Sequence, residues 1–317
     1  MLAPIPMIPA YRFGEATPWG GSQLRALFGR EIPDERTGES LEVSAISGLN
    51  SRDPQGQTLS ELIALHGAKL TGTAHTGTFP LLLKLIAARD KLSVQVHPDD
   101  IYAKQHENKL GKTEAWIILD AAEDARIVYG VKEGVTKEQL MEASLQGAAV
   151  EGLLRSVPVK AGDAFFIPAG TVHAIGSHIT LYEVQQSSDV TYRFYDWNRA
   201  DAQGNKRQLH LQQAIDVTDL DSRLQASIPT VLPLQGIGKR ELLLSCPFFA
   251  AERYSGCEQA IIEPDPRMFR MLTAVEDAVL RWEEGSLNLA PGDTALLPAE
   301  GFPLEMTGRH ILLSYPM

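Results

Sequence analysis

A fourteen-residue pattern occurs twice in the chain, and it constrains the possible folds more than any other feature. The segment from Ser156 to Ala169 aligns with the segment from Ser286 to Ala299, 130 residues later. Each copy is typical of a strand, a Gly-Asp turn and a second apolar strand that ends at proline. Two such units predict two β-sandwich or β-barrel domains of common ancestry. Chance similarity is the alternative, because Gly-Asp pairs are common in turns.

The 317 residues suffice for about two domains of roughly 150 residues each. A cluster of Pro229, Pro233 and Gly236 marks the predicted boundary between them. We therefore expect a first domain over residues 1–235 and a second over residues 236–317.

Four stretches, all before residue 236, carry helix signals. Thr58 with Glu61, and Thr136 with Gln139, have the spacing of a capping box. Two further short helices are predicted for residues 99–107 and 209–217. The rest is short, β-like and rich in turn residues, with 26 glycines and 19 prolines. The chain is therefore predicted to be mainly β, with a small helical insertion in its N-terminal part.

The two copies of the repeat differ just after their shared pattern. The first copy continues to His173, whereas the residue in the matching position of the second copy is Pro303. A histidine in one copy alone predicts one working site, in the first domain, and one structural copy.

Polar residues recur within apolar, strand-like segments of the first domain. In residues 92–98 the polar residues occupy every second position. Successive side chains of a strand point to opposite sides, so these polar side chains share one face. The polar residues of the five segments are Ser93, Gln95 and His97 in residues 92–98, Lys112 and Glu114 in residues 111–119, His173 after residues 165–172, Glu183 in residues 181–185 and Arg193 in residues 191–196.

Polar groups that face the interior of a barrel cost free energy unless something binds them. Two imidazoles and one carboxylate from three strands are the minimal protein set for an open divalent-metal site. Gln95 can supply a fourth, neutral oxygen. Taken singly, each histidine could be structural, and Lys112 beside Glu114 could be an exposed ion pair. Their joint occurrence favours the metal site.

The formal net charge of −11 disfavours nucleic acid and anionic membrane surfaces as partners. A phosphorylated ligand would need a local cationic pocket against that charge. The longest apolar run, residues 79–88, is broken by Lys84 and is far shorter than the roughly 20 residues of a membrane span. We expect no signal peptide, because the N-terminus lacks a basic region. The two cysteines, Cys246 and Cys257, could pair but are expected to be reduced thiols in a cytoplasmic protein.

Six strings of residues, in order along nearly the whole chain, resemble the short bacterial form of the type I mannose-6-phosphate isomerases. The strings are WGG at 19–21, GES at 38–40, QVHPDD at 95–100, GKTE at 111–114, PAGTVH at 168–173 and YRFYDW at 192–197. The family's Ser-Asp-x-Thr-x-Arg pattern is also matched, at residues 188–193.

The resemblance implies the cupin fold, in which two β-barrel or jelly-roll domains carry a helical insertion. One zinc ion is implied in the N-terminal barrel and none in the C-terminal domain. Residues that the resemblance implies at the metal are His97, Glu114, His173 and, as a further ligand or near neighbour, Gln95. Residues implied around the substrate are Arg193 as the catalytic arginine, Glu183 beside it, and Lys84, Ser93 and Lys112 near the sugar phosphate.

The implied reaction is the interconversion of mannose 6-phosphate and fructose 6-phosphate through a cis-enediolate. Arg193 would stabilise the developing oxyanion. Glu183 is a candidate base because burial would raise its pKa toward the operating range, and Lys112 is its competitor. An Fe(II) cupin dioxygenase and a non-catalytic sugar-phosphate-binding cupin are the alternatives. The expected assembly is a monomer or a weak homo-oligomer.

Overall fold

Strands make up most of the regular structure in the computed structural model, which describes residues 1–75, 77–201, 203–221 and 224–317. The strands are β1 (Ile5–Met7), β2 (Ala10–Phe13), β3 (Thr37–Val43), β4 (Leu81–Ala88), β5 (Val94–Val96), β6 (Glu114–Ala121), β7 (Arg126–Val131), β8 (Leu154–Pro158), β9 (Ala164–Ile167), β10 (His173–Ala174), β11 (Ile179–Gln186), β12 (Tyr192–Tyr195), β13 (Thr230–Leu232), β14 (Ile237–Ser245), β15 (Phe249–Ile262), β16 (Arg270–Ala274), β17 (Ala278–Trp282), β18 (Gly285–Leu289), β19 (Thr294–Leu297) and β20 (Leu304–Pro316). The mainly β, cupin-like fold class is confirmed.

Short helices connect some of these strands. The α-helices are α1 (Gln23–Phe28), α2 (Leu59–His66), α3 (Ala68–Thr71), α4 (Asp100–His106), α5 (Lys137–Leu145) and α6 (Leu211–Val217), and 3-10 helices cover Gly14–Ala16 and Gly147–Leu153. None of the helices in the described part of the chain has the length and apolar run that would let it cross a membrane.

The helix starts predicted from capping residues are confirmed. Thr58 and Thr136 cap α2 and α5, and each forms a complete capping box with the glutamate or glutamine three residues later. The helices α4 and α6 fall inside the other two predicted ranges. Helices α1 and α3 were not predicted, because neither has a side-chain N-cap and each is at most six residues long.

The strands form three antiparallel sheets. The orders are β2-β3-β4-β11-β6-β9 in the six-stranded sheet, β12-β5-β10-β7-β8 in the five-stranded sheet and β1-β19-β16-β20-β15-β14-β13, with β17 and β18 attached, in the nine-stranded sheet. The first two sheets contain all the predicted site strands. The nine-stranded sheet is built mostly from the C-terminal part.

The six-stranded sheet is buried on both faces, which explains why β4 is apolar at all positions but one. Leu81, Leu83 and Leu85 pack in one cluster with residues of the C-terminal sheet, such as Phe249 and Met271. Lys84, between them, points to the opposite face. The C-terminal sheet therefore supports the back of the sheet whose front carries polar residues.

The repeated pattern folds as the same turn in both copies. In the first copy the Asp163 carboxylate accepts a hydrogen bond from the Lys160 amide at 3.0 Å, and in the second Asp293 accepts one from the Ala290 amide at 2.9 Å. The preceding glycines have φ of +90° and +85°, a region that favours glycine. The predicted strand–turn–strand unit is confirmed in each copy.

Two strands from before residue 236 belong to the C-terminal sheet. Strand β1 pairs with β19, with Ile5 opposite Leu296, and β13 pairs with β14. The division into residues 1–235 and 236–317 remains a prediction, and the N-terminal segment connects the two parts through main-chain hydrogen bonds.

A buried ion pair also connects the two parts. Arg30 donates to both carboxylate oxygens of Glu42, at 2.6 and 2.9 Å, and contacts the carbonyl of Gly292 in the second repeat turn. The Glu42 side chain has no exposed surface. Removing one partner of such a pair leaves a buried charge without compensation.

We therefore expect Glu42→Ala to lower the free energy of unfolding by about 3–5 kcal/mol, as measured by urea denaturation. The matched control is Glu35→Ala, which removes an exposed ion pair to Arg25 and should cost at most about 1 kcal/mol. Equal losses in the two variants would contradict the assignment of this pair as a structural connection.

Candidate metal centre and active-site cavity

Three buried side chains from three strands meet between the two N-terminal sheets. His97 follows β5, Glu114 begins β6 and His173 begins β10. The two Glu114 oxygens lie 3.5 Å from His97 Nε2 and 3.3 Å from His173 Nε2. These candidate ligand atoms all lie within 4.8 Å of one another, and no other such group occurs in residues 1–75, 77–201, 203–221 and 224–317. The structure therefore brings together the three residues that the family resemblance implies at the metal.

Backbone carbonyls orient both imidazoles. His97 Nδ1 lies 2.8 Å from the carbonyl oxygen of Val190, and His173 Nδ1 lies 2.8 Å from that of Thr171. Because a carbonyl only accepts hydrogen bonds, each Nδ1 carries the proton and each Nε2 presents its lone pair to Glu114. Metal-binding histidines usually donate their other ring nitrogen to a carbonyl or carboxylate oxygen in this way.

Burial and the nearby Lys112 ammonium lower the pKa of both histidines, that of His173 to about 3. Both imidazoles are therefore neutral at neutral pH, the form that binds a metal ion. Two nitrogen lone pairs and a carboxylate then converge in a buried site, an arrangement that a cation stabilises.

One oxygen of the Glu114 carboxylate is left without a partner among the residues that the structure describes. This oxygen, Oε1, is buried and accepts no hydrogen bond from them. Burial, together with the negative charge of Glu183, raises the pKa of Glu114 to about 7. The Lys112 ammonium contacts the other oxygen of Glu114 and lies 2.9 Å from His97 Nε2. The donor set fits a divalent metal ion such as zinc.

Gln95 lies beside this group, on the strand next to His173. Its Nε2 atom is 3.4 Å from His173 Nε2, and its Oε1 atom accepts a hydrogen bond from Ser93 at 3.2 Å. The amide nitrogen thus faces the site, and rotation of the amide by a half-turn would present the oxygen. A role of Gln95 as a metal ligand remains a prediction.

A polar cleft of about 700 Å³ lies next to this His–Glu–His group, and its lining includes Gln95 and Lys112, which contact His173 and Glu114. All six remaining residues of the predicted site line it: Lys84, Ser93, Gln95, Lys112, Glu183 and Arg193. Five cationic side chains line the cleft against three carboxylates, although the chain as a whole carries −11. The cleft is therefore a locally cationic pocket of the kind that a phosphorylated ligand needs.

Lys112 reaches this cleft from a loop and not from a strand. Its amide donates to the Pro98 carbonyl at 2.9 Å, and the next amide, of Thr113, donates to the Gln186 side chain at 2.9 Å. The strand predicted for residues 111–119 begins only at Glu114, because these loop hydrogen bonds replace the ladder.

An ion pair and a hydrogen bond from neighbouring strands hold Glu183. Its Oε1 lies 3.0 Å from Lys84 Nζ, and its Oε2 accepts a hydrogen bond from Trp116 Nε1 at 3.0 Å. Burial alone would raise the pKa of Glu183. The charges of Lys84 and Lys112 lower it by more than burial raises it, so that the pKa falls to about 2. The expectation of a net raised pKa for Glu183 is wrong, because it took no account of the two ammonium groups near the carboxylate.

Arg193 keeps its charge uncompensated. Its Nε atom donates to Ser93 Oγ at 3.2 Å and its Nη1 atom to the Gln208 carbonyl at 2.9 Å, both of them neutral acceptors. Within the described ranges no carboxylate oxygen lies within 4.0 Å of its nitrogens. The other cations of the cleft pair with carboxylates: Arg12 with Glu39, Lys84 with Glu183, Lys112 with Glu114 and Arg207 with Asp196. Arg193 is thus the cation best placed to meet a new negative charge.

The cleft contains several residues that the sequence did not point out. They are Arg12, Glu39, Trp116, Asp189 and Arg207. Glu39 and Asp189 lie inside strings that had been matched to a family, and Trp116 follows Glu114 at strand spacing, so a signal existed for those three. The sequence offers no comparable signal for Arg12 and Arg207.

The N-terminal part matches the family model "Phosphomannose isomerase type I, catalytic domain" over residues 13–122. The mannose-6-phosphate isomerase of Streptococcus mutans is 46% identical over 240 residues, which cover 74% of each chain. The crystal structure of the mannose 6-phosphate isomerase from Bacillus subtilis matches with a TM-score of 0.91 at 32% identity, over 100% of both chains. A phosphomannose isomerase from Salmonella typhimurium shares the fold, with a TM-score of 0.79 at 18% identity over 99% of both chains. Taken with the buried His–Glu–His group and the cationic cleft, these matches show that the chain belongs to the type I mannose-6-phosphate isomerase family.

Proposed function

We propose that this chain is a zinc-dependent enzyme that interconverts mannose 6-phosphate and fructose 6-phosphate. The observation that carries the proposal is the buried His–Glu–His group beside an arginine whose charge no carboxylate of the described residues compensates. The names of the relatives support the same activity.

His97, Glu114 and His173 would hold the zinc ion, and Gln95 would be a further ligand. A bound zinc ion acts as a Lewis acid that polarises a carbonyl oxygen of the substrate. The fit rests on the neutral imidazoles and on the unpaired Oε1 of Glu114. That the bound ion is zinc, and not another divalent metal, is part of what we propose.

Glu183 is the proposed base. The Lys84 and Lys112 charges lower its pKa, so the carboxylate is ionised at neutral pH, and the same charges weaken it as a base. It takes the proton from carbon 2 of mannose 6-phosphate, which leaves a cis-enediolate, and returns that proton to carbon 1. The proton of the carbon 2 hydroxyl moves to the oxygen on carbon 1, so that the ketone forms at carbon 2. Lys112, against the metal ligands, is the competing proton carrier.

Arg193 stabilises the negative charge that develops on oxygen during this transfer. A fixed guanidinium in a partly buried site needs no reorganisation when the charge appears. Lys84, Ser93 and Lys112 line the same cleft and are proposed to contact the sugar phosphate. The cleft has more cations than carboxylates, and this excess favours a phosphorylated sugar over a neutral one.

We propose that the enzyme works in the cytoplasm as a monomer or a weak homo-oligomer, without nucleic acid or membrane partners. The net charge of −11 and the two free cysteines, Cys246 and Cys257, support this assignment.

Removal of the metal provides the test of function. In an anaerobic coupled assay with mannose 6-phosphate, a chelator should lower the activity by about 10²-fold or more, because the Lewis acid is lost. Adding about one zinc ion per chain should restore it. Consumption of O₂ without anaerobic isomerisation would instead indicate an iron dioxygenase, and absence of any turnover with zinc bound would indicate a binding protein.

A further inference from the structure

A row of alternating charges crosses the front of the six-stranded sheet, and its outer half has no role in the proposed reaction. Arg12 Nη1 lies 3.4 Å from Glu39 Oε2, and Glu39 Oε1 lies 3.7 Å from Lys84 Nζ. Lys84 Nζ in turn lies 3.0 Å from Glu183 Oε1. The row therefore connects the mouth of the cleft with the proposed base.

The register of the sheet fixes this row. Arg12 on β2 is directly opposite Glu39 on β3, and Lys84 on β4 is directly opposite Glu183 on β11. Lys84 is diagonal to Glu39, since its own partner on β3 is Leu41. Residues opposite or diagonal on one face of a sheet interact directly.

Two carboxylates share the ammonium of Lys84. Glu183 is closer than Glu39, and both side chains are largely buried, with 4% and 11% of their surface exposed. The Arg12 guanidinium compensates the charge of Glu39 from the other side. Without Arg12, Lys84 would be the one cation within 4.0 Å of Glu39 among the residues that the structure describes.

We propose that Arg12 and Glu39 form a positioning pair that keeps the Lys84 ammonium on Glu183. The proposal rests on the role of Glu183 in the proposed function. In a site of low dielectric, an uncompensated carboxylate attracts the nearest cation strongly. Loss of Arg12 would therefore draw Lys84 toward Glu39 and leave Glu183 displaced from its working position. Arg12 is 31% exposed at the cleft mouth, so it can be removed without opening the core.

A double-mutant cycle with Arg12→Ala, Glu39→Gln and the combined variant tests the pair in the zinc-loaded enzyme. We expect Arg12→Ala to lower kcat about tenfold with KM within about twofold, because small displacements of catalytic groups slow the reaction. Glu39→Gln alone should lower kcat less. The combined variant should recover most of the kcat lost in Arg12→Ala, since the competing charge is gone. Arg25→Ala, in the exposed pair with Glu35, is the control and should leave both constants unchanged.

Two kinetic outcomes would overturn the proposal. A rise in KM at constant kcat for Arg12→Ala would show that the guanidinium binds the substrate phosphate instead. A combined variant that is no faster than Arg12→Ala would show that Glu39 does not compete for Lys84.

A crystal structure of Arg12→Ala tests the same claim without an activity measurement. We expect Lys84 Nζ to lie closer to Glu39 than to Glu183, and an unchanged position would overturn the proposal. Failure of the proposed function is distinguishable, because the wild-type enzyme would then show no isomerase activity while the lysine could still move.

Discussion

Replacing Arg193 with alanine is expected to lower kcat by about 10²- to 10³-fold while the bound metal stays near one ion per chain. Removing one fixed donor to a developing oxyanion typically lowers kcat by this factor. Arg193 touches none of the three proposed ligands through a hydrogen bond and donates instead to Ser93 and Gln208. Its removal should therefore spare the metal site.

The measurement is a coupled isomerase assay together with the metal content of the same preparation. Arg155→Ala is the matched control, because this exposed arginine on β8 donates to the Leu224 carbonyl outside the cleft. A variant without Arg193 that turns over as fast as the wild type would remove the arginine from the mechanism. A variant that has lost its metal would instead assign it a structural role.

Replacing His173 with alanine should remove the metal and the activity together, with a loss of about 10³-fold or more in kcat. One of only three strong ligands disappears, and the affinity of an open divalent site depends on each ligand. His97→Ala should behave in the same way, because the two imidazoles occupy equivalent positions on either side of Glu114.

Metal content by mass spectrometry and the thermal melting point should be measured for each variant. His106→Ala, at the exposed end of α4, is the control and should keep both metal and activity. A His173→Ala enzyme that remains folded, metallated and active would show that the ligand set is wrong.

Much of the site could be predicted because most of its residues lie in strands or directly beside them, where alternation decides which side chains share a face. This rule placed Ser93 and Gln95 on one face, and both line the cleft, whereas Lys84 was expected there only from the family resemblance. The capping boxes of α2 and α5 were equally local, since each depends on residues three positions apart.

What could not be predicted depends on pairing between distant segments. The pKa of Glu183 moves down and not up because Lys84, 99 positions earlier in the chain, lies directly opposite on the neighbouring strand. Likewise Arg12 and Glu39 become cleft residues only through the register of β2 with β3. No local pattern predicts which register a sheet adopts.

The pairing of β1 with β19 illustrates the same limit at the level of the fold. Ile5 lies opposite Leu296, so three residues near the N-terminus complete the C-terminal sheet. The boundary predicted from a cluster of prolines and glycine takes no account of a strand from the first part that joins the sheet of the second. The repeat predicted the two β units, but tertiary contacts decide which strands each unit recruits.

Anomalous diffraction at the zinc absorption edge, from crystals of the zinc-loaded protein, tests the central claim most directly. We predict a single strong peak between His97, Glu114 and His173, facing the cleft that Arg193 lines. A zinc-loaded crystal with no peak between these three residues, or with its peak beside Pro303 in the C-terminal part, would contradict the assignment.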